Sequence, residues 1–255
     1  MSRRRLFAAI ALGIGVVALV ASGAAAAGIS NGLVPGNSKN SSEFVNAAFI
    51  DSQGNYLSIQ AMSGEMTFRT RTGAAVSENT TTVFIYGFTP TGVFGSGCWT
   101  TPSTPFDIRG DHSATLSFDS SAPGVTPCPG QLLSSVSGVG SSMMPISTMD
   151  DVNGAVIVSV QWTPAGVAGE DRSTVNMSCQ SFRAVSQNDA VQQNSNATAT
   201  ISSFTIQGID PSTNEPVTVT FAGAYSTNFA FVTTISNNQT VNGPSTGTCG
   251  PFGNP

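Results

Sequence analysis

Ala155-Val156-Ile157-Val158-Ser159-Val160-Gln161-Trp162-Thr163-Pro164 is the stretch that decides the fold. Val156, Val158, Val160 and Trp162 fall on one side of a period-two alternation, and Ile157, Ser159 and Gln161 on the other. A strand places successive side chains on opposite faces, so this is a strand with one buried face. Trp162 shares its face with three valines and is expected in a core.

The same alternation recurs outward in both directions. Val217, Val219 and Phe221 alternate with Thr218 and Thr220, and Ala114, Leu116 and Phe118 with Thr115, Ser117 and Asp119. The segments 56–62, 81–88, 198–206 and 229–235 read alike. They are rich in Val, Ile, Thr and Phe, and turn residues bound them. With 27 Gly and 14 Pro punctuating 255 residues, long helices have no room. Only 131–136 and 184–193 are helix-like after the first residues. The expected class is all-β, an antiparallel β-sandwich that is either one large domain with two related halves or two small sandwich domains.

The N-terminus reads as a helical signal peptide over residues 1–27. Arg3, Arg4 and Arg5 precede an apolar stretch, Leu6 to Val20, and a small-residue run, Ala21 to Ala27, follows with A-x-A cleavage sites. Residues 2–7 also fit a twin-arginine export signal loosely. The expected product is secreted, with no membrane contact after cleavage. Residues 28–43 read as a flexible lead-in and 44–255 as the sandwich region. Its candidate halves are 44–130 and 150–255, with a Pro-, Gly-, Ser- and Met-rich linker near 120–151.

Charge is scarce, at 9% of residues against roughly 25% in ordinary soluble domains. Beyond residue 27 there are six basic and fourteen acidic residues, a net of −8, and Lys39 is the only lysine. Nucleic-acid binding needs clustered Lys and Arg to displace counterions, so no nucleic-acid partner is expected. The same scarcity argues against a polybasic lipid contact.

Cys98, Cys128, Cys179 and Cys249 form an even set without C-x-x-C spacing, which in an exported chain points to two disulfides. An internal echo suggests which. Phe88-Thr-Pro-Thr-Gly-Val-Phe-Gly95 resembles Trp162-Thr-Pro-Ala-Gly-Val-Ala-Gly169, and Ala114–Phe118 resembles Ala199–Phe204. Each copy meets its cysteines in the same order, which predicts Cys98–Cys128 and Cys179–Cys249.

Catalytic constellations do not assemble. His112 is the only histidine, and Asp111, its neighbour, lies on the opposite side of any strand, so a Ser-His-Asp arrangement is disfavoured. Gly243-Pro-Ser-Thr-Gly247 matches G-x-S-x-G but holds a proline and has no histidine after it. Gly97-Cys98-Trp99 reads as a disulfide packed by a tryptophan. Asp107/Asp111, Asp150/Asp151 and Glu170/Asp171 are the carboxylate pairs that glycoside hydrolysis would draw on, each beside turn residues. Oxygen-rich turns at 150–154 and at Asp210, Asn214 and Glu215 lack the spacing of a calcium loop. No catalytic residue, metal or cofactor is expected.

Three surface features remain. Arg109-Gly110-Asp111 spells RGD, and sequons stand at Asn40, Asn79, Asn176, Asn196 and Asn238. Tyr56, Tyr86, Trp99, Trp162 and Tyr225 are candidate stacking rings for a sugar, Trp99 foremost. The leading expectation is a non-catalytic interaction or structural role with an extracellular polysaccharide or protein partner. The alternative is a carbohydrate-binding module or carbohydrate-active enzyme.

Overall fold

Strand covers most of the described chain, as the alternation requires. The computed structural model describes residues 36–70, 75–90, 94–128, 152–153, 155–178, 183–209 and 213–242. Twelve strands follow in order: β1 (Gly36–Ile50), β2 (Tyr56–Thr70), β3 (Ala75–Phe88), β4 (Phe94–Thr101), β5 (Phe106–Ile108), β6 (Ala114–Asp119), β7 (Thr126–Pro127), β8 (Val152–Asn153), β9 (Ile157–Pro164), β10 (Gly169–Ser178), β11 (Arg183–Ile209) and β12 (Pro216–Asn242). They make one sheet, ordered β5-β6-β9-β11-β12-β1-β2-β3-β4-β7, with β8 and β10 also pairing with β11. Every pairing is antiparallel.

The all-β class is therefore present, but as one curled sheet, a half-barrel, where sequence suggested stacked ones. The β11–β12 ladder shifts register twice, between Ser195 and Ala197 and between Ile201 and Phe204. An extra residue in one strand of a pair tilts that strand and sharpens its twist. The β1–β12 ladder stops at Ala47 opposite Ala230, and the two strands diverge. Into this region reaches Trp162 from β9, whose indole N–H donates to the Asn46 carbonyl at 2.7 Å. The bond ties the two limbs of the curl across the core, and it pairs the indole's only polar atom in a buried setting.

The core lies in the concavity. Val45, Ala47 and Phe49 of β1 and Leu57, Ile59 and Ala61 of β2 face Leu116 and Phe118 of β6 and the valines of the β9 segment. The outward positions of β9, Ile157, Ser159, Gln161 and Thr163, are exposed, as the opening stretch predicts.

The long strands continue past this body as an arm. There the neighbours are β10, the first half of β11, the second half of β12, the first half of β1, the second half of β2 and the start of β3. Along β1 the inward register passes from buried Val45 through half-buried Glu43 to exposed Ser41 and Lys39. Residues 36–43, read as part of a flexible lead-in, thus lie in a strand between β12 and β2. Residues 184–193, read as helix-like, lie in β11 between β10 and β12. Ladders on both sides satisfy the backbone there, and that context overrides a weak local preference.

The internal echo lands on two different devices. Phe88–Gly95 joins β3 to β4, which pair with each other as a hairpin. Trp162–Gly169 joins β9 to β10, which lie end to end along β11: Pro164 is opposite Ser195 and Gly169 opposite Gln192. The four residues between them loop out, with Gly166 at φ +82° and Val167 94% exposed. The echo therefore does not map one half of the fold onto the other. Residues 1–35, the helix-like window 131–136, Cys179 and Cys249 lie outside the described residues.

Candidate functional site

The expected pairing of Cys98 with Cys128 is present, closing a sequence separation of 30. Cys98 and Trp99 are adjacent on β4, so they take opposite faces. Trp99 stands opposite Val83 and packs, half-buried, against the core, with Phe118 at 5.4 Å between ring centroids. Its indole lies over Gly97, where a Cβ would come within 2.3 Å of the ring. Gly97 is thus required by the ring above it. The Gly97-Cys98-Trp99 run is a staple with a packed indole.

None of the five candidate stacking rings is freely exposed. Trp162 and Tyr56 are buried, and Tyr86, Trp99 and Tyr225 are half-buried. Tyr56 stacks on Phe88 at 4.5 Å and leans on Tyr86 at 6.1 Å. Burial, and then Tyr86 beside it, push the Tyr56 phenol well above its ordinary range. Gln60 donates to the Tyr86 hydroxyl at 3.2 Å. Tyr225 packs edge-on against Phe49.

Where body meets arm, the lining turns polar. Glu43, Ser63, Thr81 and Thr101 occupy one row across β1, β2, β3 and β4. Ser63 and Thr81 are buried; the Thr81 hydroxyl donates to Ser63 Oγ at 3.4 Å and shares a hydrogen bond with the Thr104 hydroxyl. Burial raises the Glu43 carboxyl above its ordinary value, and the negative charge of Asp107 adds to the effect. Asp107 is exposed and lies 3.9 Å from Arg109. Two carboxyls that feel each other's charge are the feature of this junction that acid–base chemistry could draw on. Sequence reasoning paired Asp107 with Asp111 and missed Glu43. The signal was there: Glu43, Val45, Ala47 and Phe49 share one alternating face.

Several other carboxylates are committed to turns or ion pairs. Asp111 accepts from the Ser113 hydroxyl at 2.6 Å and its backbone N–H at 3.0 Å, which hold its carboxyl below the ordinary range. His112 sits at φ 61°, its backbone N–H given to the Arg109 carbonyl, so Asp111 orients Ser113 and not the imidazole. The RGD tripeptide is this exposed β5–β6 turn. Asp119 accepts from Ser121 in the same way, also with a lowered carboxyl. Glu170 pairs with Arg172 at 3.4 Å, and Arg172 reaches Asp189 at 3.3 Å. Asn214 and Glu215 lie in the exposed β11–β12 turn, whereas Asp150, Asp151, Asp210 and residues 243–247 lie outside the described residues. Among the described residues no three His, Cys, Asp or Glu side chains are grouped to hold a metal ion.

The arm is dressed with amides and hydroxyls. Asn188 donates to Ser173 Oγ at 3.3 Å, and Asn237 donates to Asn188 Oδ1. Asn40 stands next in that row, opposite Asn237.

No protein-family model matches the chain, and no curated protein or solved structure matches it either.

Proposed function

We propose that the protein is exported and acts outside the cell in a non-catalytic structural or interaction role. The arm is the observation that carries this reading: strands of 15 and 27 residues run on beyond the core into a sheet faced with Asn, Ser, Thr and Gln. A sheet extended this way adds ordered surface and hydrogen-bonding rows without adding core, which suits a spacer or a docking blade. The body, whose two limbs oppose each other as in a sandwich, serves as its rigid root. The arginine start and small-residue run at the N-terminus support export. A disulfide supports an oxidising destination.

A carbohydrate-directed reading is second, favoured by Glu43 on the polar row, whose carboxyl feels the charge of Asp107 on β5. One experiment separates the two. The purified protein and a Trp99→Ala variant are co-sedimented with insoluble polysaccharides and cell-wall preparations, and the supernatant is assayed for released sugar. The structural reading expects no released sugar and no loss of binding in the variant. Released sugar would overturn it, and saturable binding lost with Trp99 would make this a sugar-binding surface.

A further inference from the structure

Among the described residues the arm has two edges without a neighbouring strand, and they complement each other. Among the described residues β10 pairs only with β11, and β4 pairs with β3 only over residues 81–88, which leaves residues 75–80 unpaired on that side. Across the arm the order is β10-β11-β12-β1-β2-β3, six strands with each antiparallel to the next. With an even number, the two edge strands run in opposite directions. A second copy shifted sideways therefore presents its β3 to the first copy's β10 in the antiparallel sense, continuing the ladder already in place.

The edges also stand level. Following the register across, Arg172 leads through Asp189, Ser236, Ser41 and Glu65 to Asn79. The next row on that face runs from Thr174 to Ser77. Joined without stagger, Arg172 stands beside Asn79 and Glu78 beside Ser173, so no two charges oppose.

Natural sheets blunt such edges with charged side chains, proline or bulges; on β10 charge is confined to Glu170, Asp171 and Arg172, and residues 173–178 carry none. Neither β10 nor residues 75–80 holds a lysine or a proline. The one cation on β10, Arg172, is engaged by Asp189 of the neighbouring strand. Unpaired backbone donors and acceptors on such an edge are a template for another strand.

We propose that the partner of this protein is a second copy of itself, joined β10 to β3, so that the arms merge into one sheet. The inference rests on the structural reading above and names its partner. The contact is heterologous: each copy uses two different surfaces, and successive additions extend a filament unless the rotation closes a ring.

The test uses the purified full chain in sedimentation velocity over a dilution series, with negative-stain microscopy of the concentrated sample. A series of oligomers growing with concentration is expected; a monomer at every concentration overturns the proposal. Thr174→Lys combined with Ser77→Lys sets two ammonium groups against each other across the joint and should abolish the series, with the circular dichroism unchanged. Thr174→Lys combined with Ser77→Glu should restore it. Failure of that rescue overturns the pairing, because β10–β10 or β3–β3 joints would instead meet like with like. Released sugar in the polysaccharide assay strikes the functional reading and leaves the sedimentation result standing, so the two failures are distinct.

Discussion

Body and arm are made from the same strands, yet they hold together by different means. In β1 the ladder to β2 runs unbroken from Gly36 opposite Thr70 to Ile50 opposite Tyr56. Backbone pairing is alike at both ends. The side chains are not: Val45, Ala47 and Phe49 have no exposed surface, whereas Ser41 and Lys39 stand in solvent. Burial of apolar area carries most of the net stability, since a ladder hydrogen bond largely replaces one made to water. The ladder thus sets conformation in both regions, and burial sets stability in one. The arm should open before the body does, as segments with few buried contacts do.

The strongest blow to the body is Trp162→Ala. It removes the largest core side chain and the bond to the Asn46 carbonyl, and should cost about 3–5 kcal/mol in denaturant unfolding. Trp162→Phe keeps most of the volume and should cost about 1–3 kcal/mol, the expense of leaving a buried carbonyl unpaired. Replacing Cys98 and Cys128 together by Ser should lower stability by about 3–4 kcal/mol, from the chain entropy returned to the unfolded state. An arm change should be far weaker. Asn188→Ala should cost under about 1 kcal/mol by the same measurement. Hydrogen exchange sharpens the contrast: Asn188→Ala should speed amides of β10 and the first half of β11, leaving β9 slow. Equal protection in arm and body would break the comparison.

The subtlest effect sits at the junction. The folded state raises the Glu43 carboxyl, so it holds that proton more tightly than the unfolded chain does. The contribution of this group is then greatest below its ordinary value of 4.5 and is lost as pH climbs through the raised one. Glu43→Gln should remove that decline. Melting curves should show the variant more stable than the parent at about pH 7 and equal to it at about pH 3. A variant less stable at neutral pH would mean that the carboxylate is held ionised.

How much of this was legible followed the same division. Alternation is readable only where the two faces of a strand differ, as in the valines opposite Ile157, Ser159 and Gln161. In the arm both faces carry Ser, Asn, Thr and Gln, so Gly36–Ser42 read as lead-in and Ala184–Gln193 as helix-like. Their strand conformation comes from neighbours distant in sequence, β12 for the one and β10 with β12 for the other. Glu43 went unnoticed because it stands where the apolar pattern gives way to the polar tract. The Cys98–Cys128 pairing was reached through an echo whose copies occupy unlike places in the sheet, so the pairing stands without the module that suggested it.

The loop at Ala165–Ala168 has a practical consequence. It leaves the sheet between two strands that are each held by β11, and Val167 at its tip is almost fully in solvent. A protease cut there would sever the chain without releasing either piece, since β9 and β10 keep their own ladders. For the same reason a tag, fluorophore or short epitope inserted beside Gly166 should be tolerated, giving a reporter at the waist of the molecule.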